Sequence, residues 1–204
     1  MQGKTLGYVL DLQNRLIHLN LNSIDLHKQS LSGLYQFKHL TQLSLIGCNV
    51  SELSCRLFRS FPDLQHLDLS NNNLTNSLIT ARNPVFTRLK YLNLAYNELQ
   101  SIPKFIKELA ELKELNLSYN NINKIDLFIS ELFCLNIFDI TYNKELKRLP
   151  DNLIENTNLH TVDFRYNKLT ELPDWYKLNS YPPNLYVNEG NDLDNCTPAN
   201  LIVG

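Results

Sequence analysis

Five histidines and four cysteines are the side chains of this 204-residue sequence best suited to chemistry, and their spacing limits what they can do. A structural zinc draws its ligands from close pairs such as Cys-x-x-Cys. Cys48, Cys55, Cys134 and Cys196 stand singly, with no paired clusters at either end of the chain. Free cysteine packs as a small apolar side chain, and that is the expectation for Cys48 and Cys134. His18 and His66 are 48 residues apart and no His/Glu metal motif accompanies them. G-x-S-x-G is absent, and six glycines in the whole chain could hardly supply a phosphate-cradling loop. The expected catalytic, metal and cofactor sets are therefore all empty, and the chain is expected to be no enzyme.

A second group of residues does recur. Tyr96, Tyr119, Tyr142 and Tyr166 follow one another at intervals of 23, 23 and 24, each directly before an asparagine: Asn97, Asn120, Asn143 and Asn167. Tyrosine joins a rigid apolar ring to a polar tip and is frequent at the centres of protein interfaces. Two readings stay open. The rings could form a recognition stripe, or they could stack on one another and shield the turn that carries them.

The elements that position these residues follow from a repeat. Leucine occurs 40 times and asparagine 27 times. Leu16, Leu40, Leu64, Leu89, Leu112, Leu135 and Leu159 recur at intervals of 23 to 25, each opening the pattern L-x-x-L-x-L-x-x-N-x-L, as in Leu64, Leu67, Leu69, Asn72 and Leu74. The x-L-x-L-x alternation is that of a strand with one buried face. The asparagine turns the chain, and its amide can satisfy backbone groups of neighbouring repeats. Asn72, Asn97, Asn120, Asn143 and Asn167 thus form a ladder, with Ile24 and Cys48 in the first two places. His18 and His66 then share a column two strands apart, about 10 Å, too far for one metal ion. A three-residue apolar spacing before each opening leucine, as in Ile106-x-x-Leu109-x-x-Leu112, predicts short helical turns, most clearly at Lys104–Ala110 and Leu127–Phe133. Asn156 replaces the apolar residue in the last full copy, so an extended or loosely packed final segment is expected there.

Seven copies of this pattern resemble the leucine-rich repeat family, in 23–25-residue repeats of its typical, intracellular type. The resemblance implies an α/β leucine-rich-repeat solenoid, or horseshoe. A parallel β-sheet would line its concave side, with short helices and 3₁₀ turns on the convex side. One domain is expected over 1–204: a β-hairpin cap at 1–15, seven repeats at 16–173, a degenerate repeat and cap at 174–193, and a fraying tail at 194–204. Asparagines off the ladder, such as Asn14, Asn83, Asn152, Asn158 and Asn179, are assigned no structural role.

Members of the family usually bind proteins, and a non-enzymatic interaction module is what the resemblance implies. Outward strand positions make the concave face. There four carboxylates, Asp68, Glu114, Asp139 and Asp163, stand against the single cation Arg165. The candidate partner-binding set is Tyr91, Tyr96, Glu114, Tyr119, Asp139, Tyr142, Asp163, Arg165 and Tyr166, centred on Tyr119, Tyr142, Asp139, Asp163 and Arg165. A protein partner with a basic patch fits it. With 19 basic and 21 acidic residues and a formal charge of −2, nucleic acid is not an expected partner. No apolar run approaches a membrane span and no signal peptide is visible, so a cytoplasmic monomer is expected. Two alternatives remain. One is a secreted bacterial effector acting in a host cell, suited to the Asn-, Ile- and Lys-rich usage. The other is an extracellular immune or adhesion receptor fragment, suggested by Leu53-Ser-Cys55-Arg-Leu-Phe58 and the sequons at Asn49, Asn73, Asn116 and Asn195.

Overall fold

The computed structural model describes residues 6–27, 29–51, 55–76, 88–177 and 182–193, without the side chains of Cys55, Phe58 and Lys177. The expectations placed on Leu53, Ser54, Asn83, Asn179, Asn195, Cys196 and the tail at 194–204 lie outside the described residues, as does the side chain of Cys55.

Nine strands form one sheet in chain order: β1 (Gly7–Leu10), β2 (Leu16–Asn20), β3 (Gln42–Ser44), β4 (His66–Asp68), β5 (Tyr91–Asn93), β6 (Glu114–Asn116), β7 (Ile137–Asp139), β8 (Thr161–Asp163) and β9 (Asn184–Tyr186). β1 and β2 make the antiparallel hairpin expected at the N-terminus, and every later pair is parallel. The register never slips between repeats. Leu43, Leu67, Leu92, Leu115, Phe138, Val162 and Leu185 face one another in a row. These central residues point into the core, which is continuous from Leu19 to Val187. Phe138 and Phe164 meet edge to face within it, ring centroids 6.2 Å apart.

The ladder takes the expected form and extends further. The amide of Asn72 donates to the carbonyls of Leu45, Leu69 and Ser70, and its oxygen accepts from the N–H groups of Cys48 and Val50. Asn97, Asn120, Asn143 and Asn167 repeat the arrangement. Cys48 takes the same place with a thiol that donates to the Leu21 carbonyl, and burial pushes that thiol's pKa up; Cys134 is exposed, which corrects the expectation that it packs as an apolar side chain. A sixth asparagine, Asn191, closes the ladder by donating to Phe164 and Val187 and accepting from Leu169. The eighth copy is therefore a full rung, delayed by one residue.

Short turns form the other layer. They are 3₁₀ at Leu31–Gln36, Lys104–Glu108, Leu127–Glu131 and Asp151–Glu155, and α-helical at Cys55–Ser60 and Asp174–Lys177. Pro103 and Pro150 stand directly before two of them, where a missing N–H costs nothing. Asp151–Glu155 corrects the expectation of an extended final segment. Asn156 is buried and its amide donates to the carbonyls of Ile129 and Leu132, so a polar side chain docks the turn where other copies use an apolar one. Asparagines off the ladder are likewise structural. Asn158 donates to Phe133, Asn152 to Leu127 and Ser130, and Asn14 adopts φ 58° in the hairpin turn. Trp175 is buried and donates to the Pro150 carbonyl, covering the core near its C-terminal end. Among the described residues no helix is long and apolar enough to cross a membrane.

Candidate functional site

The four tyrosines do not stand on the strands; they lie in the turns that follow. Each repeat places one residue there with left-handed backbone: Ser23, Gly47, Asn71, Tyr96, Tyr119, Tyr142, Tyr166 and Gly190, with φ between 53° and 68°. Outside glycine this conformation costs about 1–2 kcal/mol per residue. Stacking offsets much of that. Tyr96, Tyr119, Tyr142 and Tyr166 form one continuous pile, with centroids 4.1, 4.1 and 4.3 Å apart and planes within 13°, and each such pair contributes about 0.5–1.5 kcal/mol. The rings are closer together than the strands, which lie about 4.8 Å apart. The pile therefore sits on the inner side of the curve. Ring faces are spent on one another, and what remains for a partner is ring edges, hydroxyls and the outer face of Tyr96, which is 51% exposed against 38% for Tyr119. At its other end the pile closes on Gly190, where a Cβ would lie 2.5 Å from Tyr166 Cδ1. Hydrogen bonding to Glu189 pushes the Tyr166 phenol up to about 12.

The acidic column also has a structural half. Asp68, Asp139 and Asp163, like Asn20, Asn93 and Asn116, each accept the N–H of the residue two positions on, which ends the strand. Ser44 is too short for this, and Asn22 reaches over from the preceding repeat to accept the Ile46 N–H instead. Arg165 is not free. Its guanidinium forms a two-pronged pair with Asp163, reaches Glu189 at 3.2 Å and lies over the Tyr186 ring at 5.1 Å. These carboxylates hold its proton more tightly than usual. Asp68, Glu114 and Asp139 take part in none of the ion pairs among the described residues. The unneutralised charge thus lies around β4 to β7, N-terminal to the centre expected from sequence.

Tyr91 sits in this region, opposite His66 and Glu114 in the register. Burial raises its pKa, with the nearby charges of Asp68 and Glu114 adding to the effect. Beside it a hollow of about 510 Å³ opens on the concave face, lined by Val9, His18, Gln42, His66, Asp68 and Tyr91. Asp68 and Glu189 were not in the sequence-based set. Asp68 had a signal, its column and charge; Glu189 depended on the late eighth copy. Among the described residues no three His, Cys, Asp or Glu side chains gather as metal ligands.

Burial raises the Asp139 pKa more than its hydrogen bonds to Thr141 lower it. A raised carboxyl pKa favours the folded state in acid, and that stability is lost as pH rises through the folded value. Asp139→Asn keeps the accepting oxygen. It is expected to be more stable than the parent at neutral pH, with the difference vanishing in acid, as read from urea midpoints across pH.

Sequence profiles match two stretches of the chain. The profile described as "Leucine Rich repeats (2 copies)" matches residues 87–134, and "Leucine Rich Repeat" matches 63–81. Those two stretches of the chain are leucine-rich repeats. Protein PAC2 of Saccharomyces cerevisiae is 37% identical over 98 residues, which cover 44% of this chain and 19% of that protein. The functional domain of InlJ from Listeria monocytogenes, which includes a cysteine ladder, superposes with a TM-score of 0.69 at 26% identity, covering 91% of this chain and 37% of that one. The PEPR1–AtPEP1 structure superposes with a TM-score of 0.67 at 23% identity, covering 91% and 26%. The leucine-rich repeats here thus span well under half the length of the relatives they match.

Proposed function

We propose that this solenoid is a protein-binding module whose concave face receives a basic segment of its partner between β4 and β7. The observation that carries the reading is the split among the concave-face carboxylates: Asp163 is neutralised internally by Arg165, whereas Asp68 and Asp139 in the same column, and Glu114 in the column beside it, are left for an external cation. A lysine or arginine entering beside Tyr91 would meet an aromatic ring as well as carboxylates. A rigid curved sheet presents these groups with little ordering cost. The stacked tyrosines edge the same surface, and their hydroxyls offer polar contacts along it. A cytoplasmic setting goes with this proposal, since nothing in the reading requires disulfides or glycans.

Tyr119→Ala with Tyr142→Ala dismantles the pile, so that pair of changes reports on stacking as well as on recognition. Charge removal is cleaner. The triple variant Asp68→Asn, Glu114→Gln, Asp139→Asn keeps every strand-ending acceptor and removes three charges. Proteins captured from a lysate by the parent chain are expected to be lost from the variant and displaced from the parent by poly-arginine. The loss should come mainly through the association rate and shrink at high salt. Equal capture by the variant and the parent would sink the reading.

A further inference from the structure

Tyr96, Tyr119, Tyr142 and Tyr166 bring four phenols into contact, and their arrangement suits a reaction that isolated tyrosines undergo only on collision. Phenols lose one electron and one proton to peroxidase-type oxidants, giving radicals whose spin sits partly on the Cε carbons beside the oxygen. Two such radicals join face to face, through p orbitals that stand perpendicular to the ring planes. Stacking is therefore the geometry that the coupling needs. Tyr96 and Tyr119 have centroids 4.1 Å apart and planes inclined by only 10°. Their hydroxyls lie at the same end, close enough for the interaction between them to raise the Tyr96 pKa, so a Cε of one ring stands beside a Cε of the other. Proximity of this kind turns a meeting of two molecules into a step within one.

Two features single out this pair within the pile. An oxidant in solution reaches it first: Tyr96 is 51% exposed and Tyr119 38%, whereas Tyr142 and Tyr166 are less open. Joined rings must also turn out of the stack as aromaticity returns, and that needs a free face. Tyr142 lies between two rings, and Tyr166 between Tyr142 and Gly190. Tyr96 stacks on one side only, because Asn71 holds the left-handed position before it. Tyr8 and Tyr186 are exposed as well, but neither stacks on another ring among the described residues.

We propose that Tyr96 and Tyr119 are an oxidative cross-linking site, at which hydrogen peroxide and a haem peroxidase form a dityrosine bond within one chain. Each phenol gives up one electron and its hydroxyl proton, and a Cε–Cε bond forms between the two radicals. The hydrogen on each joined carbon then passes to the oxygen of the same ring, which restores both phenols. The two electrons and two protons released reduce one hydrogen peroxide to two waters. The bond ties the turn after β5 to the turn after β6, so oxidation fixes two neighbouring repeats to each other covalently. It does not depend on what the concave face binds.

Peroxidase and hydrogen peroxide acting on the folded chain, its accessible thiols first alkylated, test this after digestion with trypsin. Cleavage after Lys90, Lys104, Lys113 and Lys124 releases Tyr96 in 91–104 and Tyr119 in 114–124. The expected product is a single chain lighter than the alkylated one by two hydrogens, with dityrosine fluorescence and these two peptides joined. Its yield should not fall on dilution. Tyr96→Phe and, separately, Tyr119→Phe keep a ring in the stack, so far-ultraviolet circular dichroism should be unaltered while the joined peptide is lost. Tyr166→Phe should leave the joined peptide in place. Absence of that peptide from the parent overturns the proposal, as does joining between chains alone. So does a bond that survives Tyr96→Phe, since the partner of Tyr119 would then be Tyr91.

Discussion

Asn72→Ala is expected to destabilise the fold by about 3–6 kcal/mol, more than the same change at any other rung of the ladder. The reason lies in what each rung alone satisfies. The Asn72 oxygen is the acceptor for both the Cys48 and Val50 N–H groups, and its amide is the donor to the Leu45 carbonyl. All three residues are buried, and an unsatisfied buried group costs about 1–3 kcal/mol. At Asn120 the position is easier. Its carbonyl partners keep other donors: Leu94 is also reached by Asn97, Leu117 by Asn143, and Ser118 by the Tyr96 N–H. Only the Leu99 N–H is orphaned, so Asn120→Ala should cost about 1–3 kcal/mol. Urea unfolding of the two variants provides the check. Equal losses would mean that the rungs act through packing alone, and that shared carbonyls confer no redundancy.

Gly190→Ala is expected to detach the last repeat at a cost of about 2–5 kcal/mol, from a left-handed backbone and an overpacked contact together. With φ at 68°, a Cβ there would lie 2.5 Å from Tyr166 Cδ1 and 2.9 Å from Tyr166 Cα. The ring could swing aside only by leaving its place against Tyr142, and the Cα cannot move without shifting the backbone. β9, the Asn191 rung and the Glu189 contact to Arg165 depend on this closure. Hydrogen exchange should therefore speed up at the Phe164 and Tyr166 amides, which donate to Tyr186 and Glu189. The amides of β3 and β4 should stay protected, because each repeat contacts only its neighbours. Unchanged protection at Tyr166 would show that the turn tolerates the extra carbon.

The frame of this molecule was legible because its physics is local and repeated. Alternation located the strands, and the recurring asparagine located the ladder to the residue. What could not be read were interactions that depend on where two repeats meet. Arg165 seemed a free cation on the concave face until the eighth copy brought Glu189 and Tyr186 beside it. Asn156 looked like a defect because its partners, the Ile129 and Leu132 carbonyls, belong to the preceding turn. Other features had signals that went unused. An acidic or amide side chain two residues before the end of each strand turn, as in Asp68-Leu-Ser70 and Asp139-Ile-Thr141, is the signature of a side chain capping its own backbone. Ser23, Gly47 and Asn71 ahead of the four tyrosines mark a left-handed position, since glycine and asparagine adopt it most readily.

The pile of tyrosines also makes the molecule its own optical probe. Four phenol rings held 4.1–4.3 Å apart and nearly parallel have coupled electronic transitions, unlike isolated tyrosines. Their near-ultraviolet circular dichroism should carry an exciton signature that grows with the number of rings in contact. That signal reads the spacing of four successive repeats directly. A partner that tightens or opens the curve of the solenoid would change its intensity without any attached dye.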